Sequence, residues 1–355
     1  MGKRNTSTVL KCVVLVLMAV GLLLSVMASI TFGNADISIP NVYQVVLYQI
    51  FHLDSLSEFA SGAIHDVVWL IRFPRALLAV AIGMGLSVCG VVMQAVVKNP
   101  LADPYVLGVS SGAYLGASAA LILGIGTSVL GGSAMGFMAF IGAVLASFAV
   151  LTISRIGGKS NAGKLILAGM AISAVCSAFA NFLIYVSQDK EATSQISYWN
   201  MGSLGSADWD SVPWILPLMI LCSLIFWTQY RKLNLMLLGD DTAITLGTDL
   251  HRARTVYMLL SAFMVGIAVN AAGMIGFVGL IVPHAMRMIF GTDHKWLSPL
   301  SALAGAIFLV WADVASRVIL PNSEIPIGIL VSLIGAPCFI YLMITKSYGF
   351  GGGRS

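Results

Sequence analysis

The sequence predicts an all-α, polytopic membrane protein of about ten spanning helices, and three observations carry that prediction. First, 58% of its 355 residues are hydrophobic and only 10% are charged, whereas a soluble domain carries about 25% charged residues. Second, apolar runs bounded by charged or turn-rich breaks recur ten times, near residues 10–32, 74–97, 106–124, 134–154, 165–187, 212–229, 255–272, 274–290, 297–317 and 325–345. Third, the basic residues are unevenly placed. With the N-terminus in the cytoplasm, fifteen of the nineteen Lys and Arg fall on the cytoplasmic side, and only Arg72, Arg75, Lys190 and Arg317 fall outside. That is the bias that orients spanning helices. Both termini are then cytoplasmic, and residues 1–355 read as one transmembrane domain with an outer loop at 33–71 and a long cytoplasmic connection at 233–254.

Lys3, Arg4 and Lys11 precede an apolar run from Cys12 to Phe32. That run exceeds the 7–15 residues of a secretory h-region and no A-x-A site closes it, so it reads as the first span. The outer loop holds an amphipathic piece, Val42 to Leu53, expected as a surface helix. The second span, uncharged from Ala76 to Val97, carries Gly83, Gly85, Ser87 and Gly90, small residues that let helix backbones approach in lipid. Pro100 and Pro104 then force the chain out of helix before Gly108-Val109-Ser110-Ser111-Gly112 opens the third. Trp199, Trp209 and Trp214 read as an outer interfacial belt.

Several function classes find no support. Gly157-Gly158-Lys159-Ser160 ends like a phosphate-binding loop, but that motif needs Gly where Ile153 stands and a strand before it. Any ATP is therefore expected to be hydrolysed elsewhere. The five cysteines lie singly in apolar segments and the five histidines are scattered, so no metal site is expected. Ionisable groups at mid-bilayer cost about 2.5–3.5 kcal/mol each, and apart from Asp313 the spans keep essentially none. That argues against an ion-coupled transporter or a channel, the alternative reading, which would also show broken mid-membrane helices.

Two constellations stand out. Arg72, Arg75 and Arg317 break the positive-inside bias, and guanidinium groups grip carboxylates in a forked geometry, which suits docking of an acidic protein surface. Snorkelling to the interface is the plainer reading, and Asp313, four residues before Arg317, is placed to pair with it. In the 233–254 segment, Asp240 or Asp241 can cap a short helix whose apolar face is Ala243, Ile244 and Leu246, ended by Gly247. An exposed amphipathic helix there invites a partner groove.

R-x-P-R at Arg72–Arg75, G-x-x-x-Q at Gly90–Gln94, Asn99-Pro-Leu-Ala-Asp-Pro, Leu107-Gly-Val-Ser-Ser-Gly-Ala, Gly276-Phe-Val-Gly-Leu-Ile-Val-Pro-His284, and Glu324-Ile-Pro-Ile-Gly328 with Gly335-Ala-Pro337 resemble the FecCD-type permeases of iron-siderophore, haem and cobalamin ABC importers. The resemblance implies a type II ABC importer permease fold in a bacterial cytoplasmic membrane, paired with a second permease, identical or related, with the path running between the two. It implies two ATP-binding subunits that use ATP and Mg, and an extracytoplasmic substrate-binding protein. It implies no cofactor in this chain and no nucleic-acid partner. By the same resemblance Arg72, Arg75 and Arg317 dock the binding protein, and Gly239, Asp240, Asp241, Ala243, Leu246 and Gly247 belong to the ATPase coupling loop. Ser160, Asn161 and Ala162 fall at an inner gate, and Met170, Ser173, Ser177 and Asn181 lie near the pathway.

Overall fold

The computed structural model describes residues 8–33, 35, 37–156, 162–247 and 249–345. All its regular structure there is helical. In chain order the helices are α1 (Thr8–Ser29), α2 (Ile39–Phe51), the single turn α3 (Ala63–His65), α4 (Phe73–Val97), α5 (Val109–Leu123), the single turn α6 (Thr127–Leu130), α7 (Ala134–Ile153) and α8 (Ala162–Ser187). Then follow α9 (Lys190–Asn200), α10 (Val212–Thr228), α11 (Tyr230–Leu237), α12 (Asp240–Thr245), α13 (Leu250–Ala272), α14 (Val278–Phe290), α15 (His294–Val318) and α16 (Ile327–Thr345).

Every expected span contains a helix, but they are not equivalent. Among the described residues six helical stretches are long and apolar enough to cross a bilayer alone, or seven if α10 and α11, bent by 57°, count as one span. The apolar helices α5, α14 and Ile327–Tyr341 of α16 are shorter. At about 1.5 Å per residue, the 13 residues of α14 span about 20 Å, short of a hydrocarbon core of about 30 Å. The chain breaks where these helices stop. Gly273 (φ +65°) ends α13, and Phe277, also at φ +65°, starts α14, so the backbone between them is unwound.

Helix α4 is the axis of the bundle. Pro74 sits in its first turn, directly after the helical residues Asp66–Arg72, and Lys98 closes it in left-handed geometry (φ +54°). Nearly every residue between is buried, against α10, α13, α14 and α15. Its small residues are the contact points. Gly83 meets Gly305 of α15, and Gly90 lies so close to Gly279 of α14 that a Cβ there would collide with the Gly279 carbonyl. One turn on, the Gln94 side-chain amide donates to the carbonyls of Gly279 and Leu280, each at 3.4 Å, and its oxygen accepts from Arg287. The G-x-x-x-Q spacing thus builds a helix crossing. The segment after Lys98 folds back along α4, so that the Pro104 ring packs on Gly279 opposite the Leu86 carbonyl.

At the other end of the bundle, α2 covers most of the amphipathic piece expected at Val42–Leu53 and buries Val42, Val45 and Val46. Helix α9 was not expected. Asp189 caps it, accepting from the backbone N–H of Glu191 (2.9 Å) and Ala192 (3.1 Å). The tryptophan belt is corrected. Trp214 is exposed, but Trp209 lies against Trp69 with ring centroids 4.8 Å apart and planes tilted by 33°, and donates its indole N–H to the Trp69 carbonyl at 2.6 Å, while Trp199 packs against the core.

Candidate functional site

The three unusual arginines converge. Asp66–Arg72 winds as a π-helix directly before α4, a widened turn that rotates Arg72 inward. Its Nη1 donates to the carbonyls of Ile30 (3.0 Å) and Thr31 (3.2 Å), and its Nη2 to that of Ala35 (2.8 Å). Arg317 joins from α15, donating from Nη1 to the Phe32 carbonyl (2.8 Å) and from Nη2 to that of Ser29 (3.3 Å). Both guanidinium groups therefore satisfy carbonyls of the segment that follows α1, and Arg317 also reaches Ser29, the last residue of that helix. Arg75 instead meets carboxylates, with Nε on Asp313 Oδ1 at 2.7 Å and Nη1 on Glu324 Oε2 at 2.8 Å. Asp313 holds Arg317 with its other oxygen at 3.1 Å, the pairing expected from their spacing.

This is not an open cationic patch. Arg72, Arg75 and Arg317 are only 4–5% exposed and Asp313 only 1%. The exposed member is Glu324, whose side chain is 46% accessible. It stands beside Arg75 in a cleft of about 310 Å³ that Tyr198, Trp199, Ser203 and Ile325 also line. The loop bearing Glu324 is stitched down by Ile325 N–H to the Ser316 carbonyl (2.9 Å) and Ile327 N–H to that of Gly202 (3.1 Å).

At the opposite end of α4 lies α12. Asp240 does not cap it. Gly239 (φ +112°) holds the cap position without a side-chain bond, and the Asp240 carboxylate pairs through one oxygen with Lys98 and with Arg254, the latter at 2.7 Å. Partial burial pushes this carboxyl up, but its bonds to Arg254 and Lys98 outweigh that and hold it below the ordinary carboxylate range. Nor do the apolar residues share one face. Ala243 is fully buried, whereas Ile244 and Leu246 are exposed and Gly247 (φ +83°) has open space where a Cβ would stand. Asp241 belongs to the helix, with its side chain outside the described set.

Met170, Ser173, Ser177 and Asn181 follow one another at helical spacing on α8, which packs on α5 and α7. Met170 is 59% exposed and Asn181 is also exposed, its Oδ1 accepting from the Tyr114 hydroxyl at 3.3 Å, while the two serines are half-buried. Ser160 and Asn161 of the inner-gate assignment, like the glycine-lysine loop before them, lie outside the described residues, and Ala162 begins α8. Sequence reasoning missed a track built on the unwound segment. Met274 and Gly276 line a cavity of about 480 Å³ with Asn200, Ser332 and Leu333. They also line one of about 410 Å³ with Asp103, Ser110, Phe277 and Phe339. The available signal was Pro100 and Pro104 together with Gly273 and Gly276, breakers inside otherwise apolar stretches.

Comparison with known proteins places these features. The FecCD transport family matches residues 21–345. The haemin transport system permease HmuU of Yersinia pestis is 42% identical over 281 residues, covering 79% of this chain and 84% of that one. The vitamin B12 import system permease BtuC of Citrobacter koseri is 41% identical over 277 residues, covering 78% and 82%. A metal-chelate type ABC transporter solved in an inward-facing conformation superposes with a TM-score of 0.79 at 30% identity, over 94% of this chain and 99% of that one. Matched along nearly its whole length, the chain belongs to the FecCD transport family: it is a membrane permease subunit of an ATP-driven importer, and the hydrolysis of ATP falls to a separate subunit.

Proposed function

We propose that the chain carries an iron-siderophore complex, haem or a corrinoid, with an iron chelate the first candidate, across a bacterial cytoplasmic membrane, with the α12 end inside. It does so as one of two permease subunits, identical or related, whose open α8 and α16 faces flank the path. The residues of that path assigned here are Met170, Ser173, Ser177 and Asn181, joined by the Met274–Phe277 track. The observation that carries the reading is α12, a short helix that buries Ala243 and presents Ile244 and Leu246 with no cover. An ATP-binding subunit with an apolar cleft fits it. Two such subunits use ATP and Mg, and this chain holds no cofactor. An extracytoplasmic binding protein delivers cargo at the Arg72, Arg75 and Arg317 end, where an incoming carboxylate reaches Arg75 through the cleft beside Glu324.

Alternating access follows from each partner's differential affinity for the two states of the permease pair. Reconstitution in lipid vesicles with the ATP-binding subunit and binding protein, offered ferric siderophores, haem and cobalamin in turn, tests the assignment. ATP-dependent accumulation of one of them is expected. Accumulation by the permease alone without nucleotide would instead establish an uncoupled transporter or channel.

A further inference from the structure

Helix α12 has six residues, too few to hold a helix without help from the rest of the fold. Gly239 (φ +112°) precedes it and Gly247 (φ +83°) follows, both at positive φ. The buried Ala243 and the Asp240 carboxylate both hold it to the body. That carboxylate has two distinct holders. Arg254, in the first turns of α13, is 5% exposed and its Nε finds no partner, so it is the Nη2 bond to Asp240 that ties its guanidinium down. Lys98 is the residue that closes α4, its own N–H bonded to the carbonyls of Gln94 and Ala95. A pull on α12 is therefore applied to the last turn of α4.

Helix α4 can carry that pull. Its 25 residues run unbroken and almost wholly buried, with proline only at the very start. At about 1.5 Å per residue they form a rod of about 37 Å. The far end of the rod is Arg75, gripped by Asp313 and Glu324. A continuous series of bonded contacts thus joins the nucleotide-facing helix to the delivery end, from Asp240 to Lys98, along α4, to Arg75 and Glu324.

Resting on the importer reading above, we infer that Asp240 is a positioning residue that fastens α12 to α4, so that displacement of α12 by the ATP-binding subunit is delivered through α4 to the Arg75–Glu324 cluster. Asp240 touches neither nucleotide nor cargo; it acts by holding two helix ends to a third.

The test uses the full chain assembled with its ATP-binding subunits in lipid nanodiscs. A fluorine NMR probe, trifluoromethylphenylalanine, replaces Ile71, which is 51% exposed on the turn entering α4. Mg-ATP with vanadate is expected to shift the resonance in the parent protein. In Asp240→Asn the shift should shrink at least fivefold, and Asp240→Glu, which keeps the charge, should restore it. Lys98→Gln leaves Arg254 paired and so preserves the fold; it should lose the shift as Asp240→Asn does. A full shift in Asp240→Asn or Lys98→Gln overturns the inference, as does an absent shift in a parent complex that binds its ATP-binding subunits and hydrolyses ATP. Failure of the parent chain to bind any ATP-binding subunit overturns the importer reading instead, a result separate from all of these.

Discussion

Arg75 and Asp313 lie 238 positions apart in sequence, yet the Nε of one donates to the Oδ1 of the other at 2.7 Å, with both side chains almost wholly out of solvent. Asp313 also holds Arg317. Removing a partner from a buried ion pair leaves an uncompensated charge and costs about 3–5 kcal/mol. Asp313→Ala takes the shared carboxylate from two buried guanidinium groups, leaving Arg75 only Glu324 and Arg317 only backbone carbonyls, and should destabilise more than Arg75→Ala, which leaves Asp313 its bond to Arg317. Thermal unfolding of the purified variants in detergent gives the order, and equal losses would deny Asp313 its bridging role.

Glu324 is the exposed member of that cluster. It competes with any carboxylate that approaches Arg75 through the cleft, so Glu324→Gln should tighten binding of the delivery protein at low ionic strength. The gain should fade as salt rises and the Debye length falls to about 3 Å at 1 M. Affinity measured at several salt concentrations checks this. Weaker binding would show Glu324 itself to be a contact for a basic partner group.

Glycines in α4 and α1 predict opposite outcomes for one kind of change. Gly90→Ala drives a methyl into the Gly279 carbonyl, and overpacking of this sort costs about 1–3 kcal/mol. Gly21 in α1 has nothing within 4 Å of the place a Cβ would take, and Ala is favoured over Gly inside a helix by about 0.5–1 kcal/mol. Gly21→Ala should therefore raise the melting temperature while Gly90→Ala lowers it.

Asp240 supplies a pH dependence. Burial pushes its carboxyl up, but Arg254 and Lys98 hold it lower still than in an unfolded chain. A depressed carboxyl stabilises the fold above its unfolded pKa, and that contribution is lost as pH falls through the folded value. Protection of the α12 amides from hydrogen exchange, corrected for intrinsic rate, should hold from neutral pH down to the ordinary carboxylate range and drop below it. In Asp240→Asn it should be low throughout.

The outline of this fold was legible because lipid imposes it. Apolar runs and the placement of Lys and Arg located α1, α4, α7, α8, α13 and α15, since a spanning helix must satisfy its own backbone. What stayed hidden depends on tertiary partners. Nothing local to Arg72 says that a π turn will aim it at the end of α1, and three arginines without neighbours look the same whether solvated or buried. Asp240 read as a cap because Asp before an apolar stretch usually is one, while its real partners are Lys98 and Arg254, one of them 142 positions away. The break at 98–108 is legible from Pro100 and Pro104, whereas hydropathy closes the one at 273–277, despite Gly273 and Gly276, to a single residue between the spans 255–272 and 274–290.

The unwound segment between Gly273 and Val278 has an electrical consequence. Peptide groups outside a helix draw water toward them, and the short α14 leaves the insulating layer thin along that seam. A lone copy in a planar bilayer should pass small ions more readily than the proposed pair of permeases, in which a second subunit would cover the seam.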